Sequence, residues 1–399
     1  MPARDGMAGH ASIGRTEWLP FHVPSIGEEE IAEVVDTLRS GWVTTGAKTQ
    51  RFEQEFAARL GVADALAVCS GTAALHLALR VCGIQPGDEV VVPTYTFTAT
   101  AEVVTYFGAK PVLCDVSAQT ANITVDTLER RVTPRTRAVM VVHIAGLPCD
   151  MDPIMEFTRV RGLTVVEDVA HALPAEYRGR QVGTIGDAAA FSFYATKNIT
   201  TGEGGMLILR DGRLANEARV LALHGISRDA WKRYTAAGSW FYEVLHSGYK
   251  YNLSDIASSV GLQQLRKLDA FHARRRQIVD RYAEGLRGLD AVMVPAEMAG
   301  SSHAWHLYLL RLRLGVLNIG RDVFIDELRA RNIGTSVHFI PLHLHPYYQS
   351  VWGYRPGDFP EAERAYASAV SLPLYPAMLD GDVDDVVEAV CDVVAKNRR

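Results

Sequence analysis

The sequence predicts an α/β protein, with a parallel or mixed sheet wrapped by helices and a smaller α/β unit towards the C-terminus. Three observations carry this. Short apolar runs at 65–70, 89–93, 110–115, 137–142 and 163–168 alternate with helical stretches. Two more apolar runs, 188–193 and one beginning at 205, flank a polar connection that holds Lys197. The composition then changes at about 260–290. We therefore expect a flexible extension over 1–18, a large domain over 19–260 and a small domain over 261–399.

The chain has 399 residues, 48% hydrophobic and 22% charged, as in ordinary soluble enzymes. Its net charge of -5, without a basic block, gives no footprint for nucleic acid or an anionic membrane surface. No run is long and apolar enough to span a bilayer. The first fifteen residues lack the apolar core of a secretory signal. Cys69, Cys82, Cys114, Cys149 and Cys391 form no C-x-x-C pair, which predicts small buried thiols in a reducing compartment, and no metal site. The expectation is a cytoplasmic protein.

In chain order, Glu28 to Leu38 is an amphipathic helix with an acidic first turn. Gly41-Trp42-Val43-Thr44-Thr45-Gly46 is a loop. Trp42 there is either a packing aromatic or a ligand edge. A helix from Thr49 stops at Gly61. The strand at 65–70 breaks at Ser70-Gly71-Thr72 into a helix, Ala73 to Val81. Strand, glycine turn and helix make a ready phosphate site, because the first helical N–H groups lack partners. No G-x-G-x-x-G or P-loop pattern occurs. Strand 89–93 ends four residues before Phe97, which either stacks on a planar ligand at the strand end or packs in the core. Strand 163–168 ends on Asp168. That carboxylate could face a pyridine nitrogen or could cap a helix. His171 follows, with a core role as the competing reading.

Lys197 lies five residues past Ser192. A lysine that attacks a carbonyl must be partly desolvated and deprotonated, whereas most lysines are simply solvated. A helix, Arg213 to Leu223, precedes a long irregular stretch, His224 to Asn252. Two helices, 253–268 and 268–286, follow. The small domain then reads as strand 304–312, helix 320–331, strand 334–340 and a last helix, 382–395. His338, His343 and His345 cluster, but lack the partner pattern of a metal site.

Taken together, Ser70-Gly-Thr-Ala, Glu167-Asp-Val-Ala-His-Ala, Phe191-Ser-Phe-Tyr-Ala-Thr-Lys-Asn-Ile-Thr-Thr-Gly-Glu-Gly-Gly and Gly248-Tyr-Lys-Tyr-Asn-Leu-Ser-Asp-Ile resemble the pyridoxal 5'-phosphate (PLP)-dependent sugar aminotransferases of the DegT/StrS type. The likeness runs from Leu19 to Pro376. It implies an aspartate-aminotransferase-like fold (fold type I) with a central mixed seven-stranded sheet. Gly41-Trp-Val-Thr-Thr-Gly, Ser302-His-Ala-Trp-His-Leu and Gly334-Thr-Ser-Val-His-Phe are most similar to enzymes that aminate UDP-linked 4-keto pentoses.

The resemblance implies that Lys197 bonds to the cofactor and shuttles the proton, and that Asp168 pairs with the pyridine nitrogen. It places His171 near the phenolic oxygen, where many relatives have Gln. Phe97 stacks on the ring, where the pentose enzymes have Trp. Gly71, Thr72, Ala73 and Ser192 hold the phosphate. Lys250 and Asn252, where relatives have Asn and Arg, complete that site from a second subunit. Trp42, Thr44 and His338 contact substrate. The implied partners are L-glutamate, a nucleotide sugar and a second copy of the chain in a homodimer with shared active sites. The competing functions are amination of a dTDP- or UDP-linked 4-keto-6-deoxyhexose, a PLP-dependent sugar dehydratase and a non-catalytic homologue. Dehydratases of this fold carry His where this chain keeps Lys197.

Overall fold

A computed structural model describes residues 15–227 and 241–399. Most of the expected extension, and the middle of the irregular stretch 224–252, lie outside the described residues.

Seven strands build the main sheet: β1 (Leu66–Val68), β2 (Glu89–Pro93), β3 (Lys110–Cys114), β4 (Thr136–Val142), β5 (Thr164–Asp168), then β8 (Ala188–Ser192) and β9 (Gly205–Leu209). Between them a ribbon, β6 (Glu176–Tyr177) and β7 (Arg180–Gln181), pairs with β11 (Ser301–Ser302). The sheet order is β1-β9-β8-β5-β4-β2-β3. Only β9 runs against the others, being antiparallel to both β1 and β8. The sheet is mixed, as expected. Its parallel strands therefore end on one edge, where Asp168, Ser192, Pro93 and Val68 lie, and such an edge is where α/β proteins bind ligands.

The helices of this half are α1 (Glu28–Ser40), α2 (Ala47–Leu60), α3 (Gly71–Val81), α4 (Ala99–Thr105), α5 (Val125–Glu129), α6 (Met151–Arg159) and α7 (Gly212–Leu221). Alternation along β8 aims Phe191 at α2, where its ring meets Phe56 at 5.1 Å, and turns Ser192 to the opposite face. Helix α2 begins on Gly46, which has no capping side chain. Asp255 supplies the cap: its carboxylate accepts from the N–H groups of Gly46 (2.7 Å), Thr49 (2.9 Å) and Lys48 (3.1 Å).

One helix, α8 (Asp255–Gly285), replaces the two expected over 253–286. No proline or cap interrupts it. Its first half packs on α1 and α2, and its second half, through Ile278, Val279 and Tyr282, enters a second apolar cluster. That cluster lies under the antiparallel sheet β10 (Val292–Met293), β12 (Tyr308–Leu312) and β13 (Ala369–Leu372). It is covered by α9 (Arg321–Arg329) and, after α10 (Pro346–Trp352) and α11 (Pro360–Ser368), by α12 (Asp380–Asn397).

Two expected strands are corrected. Residues 304–307 do not join β12. Ala304 donates to the Gly146 carbonyl (2.9 Å), and His306 and Leu307 donate to that of Ala145 (3.0 and 3.1 Å), so they fasten onto a turn of the large sheet. Residues 334–340 are not a strand either. Only Ser336 pairs, with Ser371, because residues 19–21 fill the place beside Gly334 and the His338 carbonyl is taken by the Tyr95 hydroxyl. The connection holding Lys197 is also longer than the expected tight loop, running over residues 193–204.

Candidate active site

The start of α3 packs directly on the end of β8. A Cβ on Gly71 would lie 2.9 Å from the Ser192 Cβ, so only glycine lets the two elements approach this closely. Gly205 faces the same constraint: its Cβ would meet the Ser70 backbone at 2.5 Å. The Ser70 hydroxyl caps the helix by accepting from the Ala73 N–H (3.0 Å). The N–H groups of Gly71 and Thr72 have no acceptor within the helix, and they start it beside the Ser192 hydroxyl. This is a cradle for an anion, and a phosphate fits it.

Asp168 ends β5 and is buried. The Thr100 hydroxyl donates to its Oδ2 (2.8 Å) and the Ala170 N–H to its Oδ1 (3.1 Å). Burial raises its carboxyl above the usual range, against the pull of these bonds and of Lys197. No helix follows Asp168, so the capping alternative reduces to the single Ala170 bond. The preceding residue, Glu167, points to the other face. It accepts from the Gly183, Ile185 and Gly186 N–H groups and from His143, and so fixes the chain leading into Asp168.

Lys197 lies near enough for its charge to act on Asp168. The residue is half-buried and its amine is surrounded by protein. Burial pulls the amine from 10.5 down to about 8, although Asp168 opposes the shift. The next residue, Asn198, gives its Nδ2 hydrogens to the carbonyls of Leu173 (2.7 Å) and Ala304 (2.8 Å). Its Oδ1 must therefore accept from His306 Nδ1 (3.2 Å).

Four imidazoles surround the lysine. Burial brings His22 and His338 each to about 4, with the Lys197 charge contributing to both. Burial also holds His171 and His306 well below the ordinary histidine value, followed by Lys197 for His171 and by His171 and then Lys197 for His306. All four are neutral at pH 7. The backbone N–H of Ala145 points at His171 Nδ1 (3.3 Å), which makes Nδ1 the acceptor and puts the ring proton on Nε2. His171 thus carries its ring proton on Nε2, where it is available to donate. Its ring stacks on Phe339 at 5.6 Å. A cavity of about 40 Å³ opens beside Thr196, lined in part by Phe21, His22, His306, His338 and Leu374.

Phe97 is no core residue: it is 58% exposed and meets Phe339 at 6.0 Å. His338 Nδ1 bonds Ser371 Oγ (2.8 Å) and its ring stacks on Phe21, whereas His343 is held by Thr94 and Glu363. These histidines face different partners. Among the described residues no group of three or more metal-binding side chains converges.

Trp42, Thr44, Lys250 and Asn252 form a second set. Asn252 Nδ2 donates to Thr45 Oγ1 (2.6 Å), Asp255 N–H donates to the Thr44 carbonyl (3.1 Å) and Trp42 Nε1 donates to the Thr45 carbonyl (3.1 Å). Lys250 is exposed, next to the Tyr249–Tyr251 stack. Trp42 and Asn252 meet at Thr45, Lys250 pairs with Leu223, and among the described residues no hydrogen bond links any of the four to the Lys197 group.

Sequence reading left out Thr100, Asn198, His22 and His306. Asn198 follows the lysine directly and Thr100 follows Thr96 at helical spacing, so both carried a local signal. The histidines gave none, because their partners are far away in sequence.

PLP fits this arrangement on the residues present: an anion cradle at 71–72 and 192, a buried carboxylate at 168, and a neutralisable amine at 197. The chain is 50% identical over 381 residues to the spore coat polysaccharide biosynthesis protein SpsC of Bacillus subtilis, covering 95% of this chain and 98% of SpsC. It is also 50% identical over 384 residues to the uncharacterized protein MJ1066 of Methanocaldococcus jannaschii, covering 96% of this chain and all of that protein. The structure of Spr1654 from Streptococcus pneumoniae in its PLP form superposes with a TM-score of 0.88 at 35% identity, covering 95% and 99% of the two chains. The fold is therefore that of PLP-dependent aminotransferases. The model of the DegT/DnrJ/EryC1/StrS aminotransferase family matches residues 24–391, and the chain belongs to that family as a PLP-dependent sugar aminotransferase.

Proposed function

We propose that the enzyme moves the amino group of L-glutamate to C-4 of a nucleotide-linked 4-keto sugar, a UDP-4-keto-pentose, in amino-sugar biosynthesis. One observation carries the chemistry: an amine brought to about 8 by burial lies near enough to the buried Asp168 carboxylate for the two charges to act on each other. SpsC, half identical to this chain, is named for polysaccharide biosynthesis, which supports a sugar acceptor. The pentose rests on the likeness of the Trp42, Ser302 and Gly334 segments. Five unpaired cysteines are in keeping with a cytoplasmic enzyme.

Bound here, PLP supplies a protonated pyridine ring that takes up the electron pair left when the donor carbon loses its proton. The chain's residues do the rest. Lys197 holds the cofactor and, once displaced by the donor's amine, removes and returns that proton. An amine at about 8 is deprotonated often enough near neutral pH and strong enough as a base. Asp168 keeps the ring nitrogen protonated. His171 donates from Nε2 to the phenolic oxygen. Gly71, Thr72 and Ser192 would hold the phosphate, with Ala73, whose N–H goes to the Ser70 hydroxyl, packed alongside; Phe97 would flank the ring and His338 would face the sugar. Lys250 and Asn252 would complete the phosphate site of a second copy in a homodimer, and Trp42 and Thr44 would contact the sugar.

The test is a coupled assay with PLP, L-glutamate and either a UDP-4-keto-pentose or a dTDP-4-keto-6-deoxyhexose, following 2-oxoglutarate and the aminated sugar by mass. Product from the pentose supports the reading. Product from the hexose alone overturns the choice of acceptor, and no transfer from glutamate overturns the choice of donor.

A further inference from the structure

We propose that Thr100 is a positioning residue for Asp168, and that Thr96 and Thr100 form a one-way hydroxyl relay fixing the carboxylate in its plane and in its ionised form. This rests on Asp168 being the partner of the pyridine nitrogen.

The direction of the relay follows from chemistry. An ionised carboxylate has no hydrogen to give, so the Thr100 hydroxyl donates to Asp168 Oδ2 across 2.8 Å. Its proton being engaged, Thr100 Oγ1 can only accept across the 2.9 Å to Thr96 Oγ1, which makes Thr96 the donor. Thr100 stands in the first turn of α4 and Thr96 in the bend just before it, which folds back to bring the two hydroxyls together. Relative exposures are 2% for Thr96, 0% for Thr100 and 6% for Asp168, so little water reaches the chain to compete. Donors in series polarise one another in such a setting.

The second oxygen is held separately, by the Ala170 N–H at 3.1 Å. With one donor fixed on each oxygen, the carboxylate plane is set by both the first turn of α4 and the turn after β5. Burial works against the ionised form. Losing one donor therefore moves Asp168 towards its neutral acid, which cannot hold a proton on a pyridine nitrogen. Substrate never touches Thr100 in this scheme.

The experiment uses holoenzyme loaded with PLP carrying 15N at the ring nitrogen, read by NMR across pH. In the wild type and in Thr100→Ser the nitrogen is expected to be protonated at pH 7. In Thr100→Val, which keeps shape and removes the donor, its pKa is expected to fall by about one unit or more. The accompanying loss is in kcat, with KM for glutamate little changed. Thr96→Val keeps the bond to Asp168, removes its support, and is expected to show a smaller shift of the same sign. It tests the relay even if the position 100 variant does not fold. A wild-type resonance in Thr100→Val, or in Thr96→Val when that is the variant available, overturns the proposal. An unprotonated ring in the wild type overturns instead the assignment of Asp168, and is seen before any variant is made.

Discussion

Ser192 and Gly71 are packed so tightly that a single added methyl at 71 would sit 2.9 Å from the Ser192 Cβ. The start of α3 and the end of β8 thus form one rigid edge, with two backbone N–H groups and a hydroxyl along it. In Gly71→Ala that edge must open. The expected cost is about 1–3 kcal/mol of stability from overpacking. PLP affinity, measured by fluorescence titration, is expected to fall tenfold or more, a loss of about 1.4 kcal/mol. An unchanged Kd would show that the phosphate sits elsewhere.

Lys197 has a pH signature that needs no cofactor. Its amine titrates at about 8 in the folded chain against 10.5 unfolded. Between these values the unfolded state binds the extra proton, so this group makes stability rise with pH from 8 to 10.5. Below 8 the charged, enclosed amine is a constant penalty. Apo Lys197→Met is therefore expected to be more stable than wild type at pH 7 in urea, with the advantage shrinking as pH rises towards 10. A gap that stays constant with pH would mean the amine titrates normally.

Asn198 ties its own loop to two others by three bonds: the turn after His171 through the Leu173 carbonyl, and the 304–307 linker through the Ala304 carbonyl and the His306 ring. Asn198→Ala removes all three bonds from a buried place and is expected to cost about 2–4 kcal/mol in urea unfolding. Asn198→Asp keeps the acceptor and loses both donors, so it should recover little. Full recovery would assign the role to His306 alone.

His171 is expected to act as a donor, because Ala145 N–H fixes its tautomer. Glutamine offers an N–H from a similar place, and phenylalanine offers none. His171→Gln should keep most of the turnover. His171→Phe should lose about 10- to 100-fold, the value of one hydrogen bond to a charged oxygen. Equal losses would point to packing on Phe339 and His306 as the residue's function.

Much of this was legible from sequence because it was local. Alternating apolar runs and glycine breaks gave every strand of the large sheet. Asp168, Ser192 and Gly71 lie at strand ends, which the pattern itself marks. What stayed hidden depends on distant pairing. The 304–307 segment has a strand's composition, yet its N–H groups go to Ala145 and Gly146. Residues 334–340 alternate correctly, but the N-terminal segment at Leu19 takes the place of a sheet neighbour. The cap of α2 comes from Asp255, some two hundred residues away. The neutrality of His22, His171, His306 and His338 comes from burial and from the lysine they surround, neither of which is written in their own neighbourhoods.

The most direct test of the central claim is to incubate the full chain with PLP, reduce it with borohydride and map the modified peptide by mass. The account predicts one adduct, on Lys197, lost in Lys197→Ala and weakened in Gly71→Ala. An adduct on another lysine, or none in a chain that has folded, would contradict it.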